Sequence, residues 1–151
     1  MIQIYVDADA CPVKDEVFRV AKRYGLRVFV VSNGRIRIPA DPLVEMVVVT
    51  GHFDAADAWI VERIAETDVA VTSDIPLASL CLAKGARVLD PKGKVFTPES
   101  IGDALANREL MAYLRDSGSI TGGPAPFEAR DRSLFLQKLD GLVQAILKAM
   151  R

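Results

Sequence analysis

Short apolar segments and amphipathic segments alternate along this chain. The apolar segments have few polar positions, which is typical of strands covered on both faces. They predict five strands, at Ile2–Val6, Leu26–Val31, Val44–Thr50, Val69–Thr72 and Ala86–Leu89. The amphipathic segments repeat apolar residues three or four positions apart, which is the helical period. They predict helices at Val13–Tyr24, Phe53–Ala65 and Ile75–Lys84, from Pro98 to about Arg115, and from a few residues after Phe127.

Residues at the predicted helix ends support these assignments. Gly25 follows the first helix and is suited to end it. Pro98 suits the first position of a helix behind the capping residue Thr97. A Gly/Pro-rich loop at 117–126 separates the last two helices. The last helix has an apolar stripe of Phe135, Leu139, Leu142, Val143, Ile146 and Met150.

The alternation of strands and helices predicts the α/β fold class. We expect residues 1–151 to form a single three-layer domain with a mainly parallel five-stranded sheet, plus C-terminal helices. In such sheets, ligands bind beyond the carboxyl ends of the strands, where the strand order reverses. Functional side chains are therefore expected directly after strands.

Composition and charge narrow the class of protein. The chain has 151 residues, of which 50% are hydrophobic and 26% charged, as in an ordinary globular domain. No apolar run approaches the roughly 20 residues that span a bilayer, and no signal-peptide pattern is present. Cys11 and Cys81 form no CxxC pair, which argues against a disulfide framework and a zinc site. We expect a cytoplasmic protein with no membrane partner.

The near-neutral charge of the chain also limits its partners. Its formal net charge is −1, whereas dedicated nucleic-acid binders are usually basic. Contact with RNA or single-stranded nucleic acid therefore requires a local patch or bound cations. The sequence does not indicate an oligomeric state.

Carboxylates follow two of the predicted strands. Asp7 comes directly after the first strand. Asp9 points to the same side as Asp7 if the chain stays extended past the strand. Asp74 follows the fourth strand. If these two strands are neighbours, Asp7 and Asp74 lie at one edge of the sheet.

A third carboxylate lies on the inward face of a predicted helix. Asp57 is four residues after Phe53 and three before Ile60, and Asp54 lies at the edge of the same stripe. A carboxylate in this place is costly unless it is paired with a cationic side chain or a metal ion. Both arrangements remain open at this point.

Together these acids form an all-oxygen set of the kind that Mg²⁺ or Mn²⁺ prefers. A divalent cation would also relieve the repulsion among neighbouring carboxylates. We therefore expect Asp7, Asp57 and Asp74 to be metal ligands and catalytic residues, supported by Asp9 and Asp54. Each acid also has a local alternative. Asp74 is suited to cap the helix that follows it, Asp9 to support the turn before Pro12, and Asp57 to interact with its helix dipole.

Four further residues are candidates for a supporting role. Lys14 lies in the first turn of a helix, where it either holds a phosphate with backbone N–H groups or is solvated. Arg108 falls on the inward stripe of its helix, where an arginine pairs with a carboxylate or a phosphate, and we expect a structural ion pair with one of the acids. Asp131 and Arg132 flank the apolar stripe of the last helix near its start, and we expect them to tie that helix to the body.

Four segments resemble motifs of the uncharacterised YaiI/YqxD family: DADACPVK, DAADAWI, TSDIPLA and GGPAPFEARDR. The resemblance extends from Ile2 to about Leu139. The family is grouped with the PIN-like domains, many of which are metal-dependent ribonucleases with acids at the edge of a parallel sheet. The resemblance implies that Asp7, Asp57 and Asp74 correspond to the PIN-type acids. For the fourth, late acid of such sites, Asp90 is the only obvious candidate near a strand end.

Three functions are compatible with these residues. The first is a Mg²⁺- or Mn²⁺-dependent nuclease acting on RNA or single-stranded nucleic acid. The second is a phosphatase of haloacid-dehalogenase type, in which Asp7 and Asp9 supply the nucleophile and the general acid, and Thr50 or Thr72 binds the phosphate. The third is a non-catalytic module that binds nucleic acid or a protein partner.

Overall fold

The computed structural model describes residues 1–9, 11–52, 54–119 and 125–151. Within these residues the strands are β1 (Gln3–Asp7), β2 (Arg27–Ser32), β3 (Val44–Val48), β4 (Val69–Val71), β5 (Arg87–Leu89) and β6 (Val95–Phe96). The helices are α1 (Lys14–Tyr24), α2 (Ala55–Arg63), α3 (Ile75–Ala83), α4 (Pro98–Asp116) and α5 (Ala129–Ala149). None of these helices combines the length and the apolar character needed to cross a bilayer.

The described strands form one sheet in the order β3-β2-β1-β4-β5-β6. All pairings are parallel except that of β5 with β6, which is antiparallel. The predicted α/β class and mainly parallel sheet are therefore confirmed. The predicted strand number was wrong by one, because β6 has only two residues and is too short to show a periodic pattern.

Helices cover both faces of the sheet, which gives three layers. The strand residues alternate between the two faces, as the pleat requires. On one face, Ile4 and Val6 of β1 pack in a core with α1 and α5. On the other face, Tyr5 of β1 packs in a core with α2 and α3. Asp7 follows the same alternation as Tyr5, so it faces the α2 and α3 side at the carboxyl end of its strand.

The helix ends follow the predicted chemistry. Gly25 takes the left-handed conformation with φ of 66° and ends α1. Thr97 accepts a hydrogen bond from the backbone N–H of Ser100, and the Ser100 hydroxyl accepts one from Thr97 N–H. The predicted start of the second helix, Phe53, and part of the predicted Gly/Pro-rich loop, residues 120–124, lie outside the residues that the structure describes.

The two longest described helices, α4 and α5, differ in how many of their residues are buried. Helix α5 buries Phe135, Leu139, Val143 and Ile146, although Met150 of its predicted stripe is exposed. Helix α4 has 19 residues and buries none of them. Its packing partner α3 has only nine residues, so α4 extends past the surface that would cover it. The predicted inward stripe of α4 is therefore only half-buried at best.

The start of α5 is attached to the body through Arg132. Its Nη1 donates to the carbonyl oxygen of Pro12 at 2.8 Å and to Oε1 of Glu16 at 2.7 Å. Asp131 does not make such a contact with the described residues. Its carboxylate instead accepts a hydrogen bond from Glu128 N–H at 2.9 Å and caps its own helix. The expectation that both residues tie α5 to the body was therefore wrong for Asp131.

We expect Gly93→Ala to destabilise the fold by about 2–3 kcal/mol. Gly93 has a φ of 91°, and an added Cβ would lie 2.9 Å from Cγ of Leu134 and 3.2 Å from its carbonyl carbon. The control Gly118→Ala also has a positive φ, 77°, but its added Cβ meets no atom of the described residues within 4 Å. It should lose only about 1 kcal/mol. Urea unfolding measures both, and equal losses would contradict the close packing of this turn against α5.

Candidate functional site

The carboxyl edge of the sheet brings together acids from three elements. Asp7 is the last residue of β1, and its strand runs beside β4 with Val6 opposite Val71. Asp74 follows β4 and begins α3, while Asp57 lies in the first turn of α2. These three acids line one cavity of about 440 Å³, together with Asp9 and Arg108. We call this cavity the acid pocket.

A buried threonine links two of the acids. The Thr72 hydroxyl donates to Oδ2 of Asp7 at 2.7 Å and accepts from the backbone N–H of Asp74 at 3.0 Å. Thr72 is only 1% exposed, so the surrounding core fixes its position. The sequence suggests only a phosphate-binding role for Thr72. The available signal for its contact with Asp7 is its position directly after β4, level with Asp7 in the neighbouring strand.

Asp74 has a local role as well as a place in the pocket. Its Oδ1 accepts a hydrogen bond from Leu77 N–H at 3.0 Å and so caps α3. The capping interpretation therefore holds for one oxygen. Oδ2 accepts no hydrogen bond from the described residues, which leaves it available to the pocket.

Asp9 is held by the end of β2 rather than by the turn before Pro12. Its Oδ1 accepts from the Ser32 hydroxyl at 2.6 Å, and its Oδ2 accepts from Asn33 N–H at 3.2 Å. Both oxygens are thus engaged, although the residue lines the pocket. Its described hydrogen bonds come from Ser32 and Asn33 and not from the turn before Pro12.

Asp57 is the acid whose charge is least compensated. Burial, followed by the neighbouring charges of Asp74, Asp7 and Asp54, raises the pKa of Asp57 to about 6. No described residue donates a hydrogen bond to its carboxylate. A helix-dipole role alone would lower this pKa. The ionised form of Asp57 is therefore unfavourable in the pocket as it stands.

The pKa of Asp7 is also raised, mainly by burial and further by the charges of Asp74 and Asp9. The hydrogen bond from Thr72 acts in the opposite direction by stabilising the carboxylate. The two raised pKa values have the same main origin, which is burial, and the charge of Asp74 adds to both.

The donor set of the acid pocket suits a hard divalent cation in its chemistry. Carboxylate oxygens from β1, α2 and the start of α3 face one cavity, and Mg²⁺ and Mn²⁺ prefer oxygen ligands. In the parts of the chain that the structure describes, however, no three carboxylate, thiolate or imidazole groups are close enough together to hold a metal ion as they stand. The acids converge on a cavity without forming a preassembled coordination shell.

Arg108 lies on the wall of the acid pocket from α4. It is exposed, and it forms no ion pair with any described residue. The expected pairing with one of the acids was therefore wrong. The reason is that α4 extends past α3, which leaves its guanidinium facing the cavity instead of packed against a carboxylate.

Other predicted supporting residues lie outside the acid pocket. Asp54 pairs with Nδ1 of His52 and lines a neighbouring groove. The ammonium of Lys14 donates to the carbonyl oxygen of Cys11 at 2.6 Å, and Lys14 does not line the pocket. Neither Asp131 nor Arg132 lines the pocket.

Asp90, the candidate fourth acid, organises a turn. Its Oδ1 accepts from the backbone N–H groups of Lys92 and Lys94, each at 2.9 Å. It lines a different cavity with Pro12 and Phe127. The acid pocket therefore contains no late acid from this position.

We expect Asp57→Asn to stabilise the metal-free protein at pH 8 by about 1 kcal/mol, an amount reduced by partial exposure and screening. The folded chain holds the Asp57 proton more tightly than the unfolded chain, because the pKa rises from 3.8 to about 6 on folding. The free energy of unfolding therefore falls as pH rises through this interval. The advantage of the variant should largely vanish at pH 4.

Urea unfolding in the presence of a chelator measures this difference at both pH values. The control Asp103→Asn removes an exposed acid from α4 and should change stability by less than about 0.5 kcal/mol at either pH. An Asp57→Asn variant less stable than the wild type at pH 8 would contradict the unfavourable charge that we assign to this residue.

Comparison with known proteins identifies the family. Residues 5–145 match the family described as "Uncharacterized BCR, YaiI/YqxD family". A UPF0178 protein of Rhodospirillum centenum is 59% identical over 150 residues, covering 97% of each chain. Another, from Paramagnetospirillum magneticum, is 57% identical over 143 residues and 95% of each chain. No solved structure was found to match. With this match and these identities over nearly its whole length, the chain belongs to the YaiI/YqxD family.

Proposed function

We propose that this protein is a divalent-metal-dependent phosphodiester hydrolase acting on RNA or single-stranded nucleic acid, and that its fold belongs with the PIN-like domains. One observation carries the proposal. Asp7, Asp57 and Asp74 come from three separate elements and line one cavity at the carboxyl edge of a parallel sheet, where such folds bind ligands. Structural roles alone do not explain a shared cavity, because each acid raises the cost of ionising the others.

In this proposal Asp7, Asp57 and Asp74 hold a Mg²⁺ or Mn²⁺ ion. When bound, such an ion polarises the phosphoryl oxygens and offsets the charge that develops in the transition state. The cation would also offset the negative charge that the pocket presents to a phosphate. With a net charge of −1 and four aspartates lining the pocket, a phosphate is repelled unless cations are present.

The residues of the chain have separate tasks in hydrolysis. Thr72 fixes the position of the Asp7 carboxylate through its 2.7 Å hydrogen bond. A bound cation would remove the repulsion that raises the pKa of Asp57, so Asp57 would serve as a ligand in its ionised form. The water oxygen forms the new bond to phosphorus and gives up its proton to solvent, the bond to the leaving oxygen breaks, and that oxygen takes up a proton. Arg108 offers a guanidinium on the wall of the pocket for the phosphate.

The haloacid-dehalogenase alternative has less support. It requires Asp9 as a general acid, but both oxygens of Asp9 accept hydrogen bonds from the end of β2. It also requires a threonine hydroxyl that binds the phosphate, and the Thr72 hydroxyl already donates its hydrogen bond to Asp7.

The non-catalytic alternative is favoured by one observation, which is that Asp90 is committed to its own turn. A pocket without a late acid could bind nucleic acid or a protein partner without cleaving it.

We further propose a cytoplasmic location, because both cysteines are free and buried, as in a reducing compartment.

The proposal predicts cleavage of labelled single-stranded RNA in the presence of Mn²⁺ and loss of that cleavage, by about 100-fold or more, in an Asp7→Asn, Asp74→Asn double variant. Asparagine keeps the capping hydrogen bond of residue 74, so the variant should remain folded. Gel electrophoresis of the products measures the rate. The matched control is Asp90→Asn, which changes a strand-end acid outside the acid pocket and should cleave like the wild type.

Equal cleavage by the wild type and the double variant would indicate a contaminating nuclease and contradict the proposal. Absence of cleavage together with a melting temperature that millimolar Mn²⁺ does not raise would also contradict it, since a ligand that prefers the folded state must stabilise that state. Stabilisation by Mn²⁺ without cleavage of any RNA would favour the non-catalytic binding module.

A further inference from the structure

A second cavity, of about 560 Å³, adjoins the acid pocket. It lies between α2 and α3, and it shares Asp57, Asp74 and Arg108 with the acid pocket. We call this second cavity the apolar groove. Apart from the shared residues, it is lined by an apolar wall of Ala58, Val61, Pro76, Leu77 and Leu80 and by two acids, Asp54 and Glu62.

The apolar groove exposes hydrophobic surface next to a highly polar site. Leu80 of α3 is 52% exposed, and it borders the groove with Pro76 and Val61. One exposed leucine is ordinary. Here it lies in a concave surface that opens beside converging carboxylates, which is the combination of apolar walls and a few polar groups typical of ligand sites.

Arg108 is the one cationic residue among the described residues that line the groove, which also include Asp54, Asp57, Glu62 and Asp74. Asp54 pairs with His52, and Glu62 lies 3.4 Å from Nη1 of Arg63. Arg108 has no ion-pair partner among the residues that the structure describes, although carboxylates line both of its cavities. An arginine at the junction of a polar and an apolar cavity suits a ligand that is anionic at one end and apolar at the other, because its guanidinium fork matches phosphate geometry.

We propose that the apolar groove binds the base of the nucleotide next to the scissile phosphate, and that Arg108 holds that phosphate at the junction with the acid pocket. This inference rests on the proposed function and names the substrate unit that the site selects. The groove volume lies within the range that accommodates small ligands. A base can enter it only after leaving its helical stack, so the substrate is single-stranded.

The lining of the groove also predicts how the base is recognised. None of the residues that line it is aromatic, so the base packs on aliphatic side chains rather than stacking on a ring. The apolar wall offers no hydrogen-bonding side chains to the edge of a base, so it contributes affinity without preference among the four bases. Asp54 and Glu62 of the same cavity supply acceptors for N–H groups on a base edge.

The test compares two ligands that lack a cleavable phosphodiester: uridine 5′-monophosphate and inorganic phosphate. Both are titrated by NMR into the full-length protein with Mg²⁺. The wild type should bind the nucleotide about tenfold or more tightly than phosphate. Leu80→Ser should remove most of this preference while leaving phosphate binding unchanged. Arg108→Ala should weaken binding of both ligands by about tenfold.

Two matched controls lie on α4. Arg115→Ala removes an exposed arginine seven residues after Arg108, and Leu110→Ser alters a leucine that is 54% exposed. Neither residue lines either cavity, so both variants should bind like the wild type. Equal effects of Arg115→Ala and Arg108→Ala would reduce the role of Arg108 to general charge and overturn the inference.

The inference is also overturned if the wild type binds the nucleotide no more tightly than phosphate, if it binds neither, or if a lysine-rich peptide occupies the groove in place of the nucleotide. These outcomes are separate from those for the proposed function. Loss of RNA cleavage in the Asp7→Asn, Asp74→Asn variant, combined with wild-type nucleotide binding by Leu80→Ser and Arg108→Ala, would leave the nuclease standing and remove the base site.

Discussion

Parallel pairing of β1 with β4 is the constraint on which the site depends. It places Val6 opposite Val71, so the two strands end together and the chain leaves both at one edge of the sheet. The strand order also reverses here, since β2 lies on the other side of β1. Residues that are 67 positions apart in the sequence, Asp7 and Asp74, therefore line one cavity. The hydrogen bonds of Thr72 fix this arrangement on both sides.

Bringing these carboxylates to one edge of the sheet costs free energy, which hydrogen bonds within the chain offset only in part. Asp7 accepts a hydrogen bond from Thr72, Asp74 caps α3, and Asp9 is held by the end of β2. Asp57 receives no comparable help from the described residues, and its pKa rises to about 6 as a result. Perturbed carboxylates that face a cavity are more typical of functional sites than of structural ones. A cation that is shared among these acids would remove the repulsion and complete the site.

The sequence predicts the fold and the central acids well, for identifiable reasons. Strands buried on both faces are continuous apolar runs, and the helical period places Asp57 on the inward face of α2. The sequence could not show which strands are neighbours, so the meeting of Asp7 with Asp74 stayed conditional. It missed β6, which has two residues, and the contact of Thr72, which depends on strand pairing. It misjudged Arg108 because the helical period says nothing about how far α4 extends beyond the nine residues of α3.

A crystal structure of the wild-type protein soaked in Mn²⁺, with anomalous scattering measured near the manganese edge, tests the central claim most directly. The account predicts an anomalous peak in the acid pocket within about 2.5 Å of carboxylate oxygens from Asp7, Asp57 and Asp74. An ordered pocket with no anomalous peak at saturating Mn²⁺, or a peak held by only one of these acids, would contradict the shared cation site.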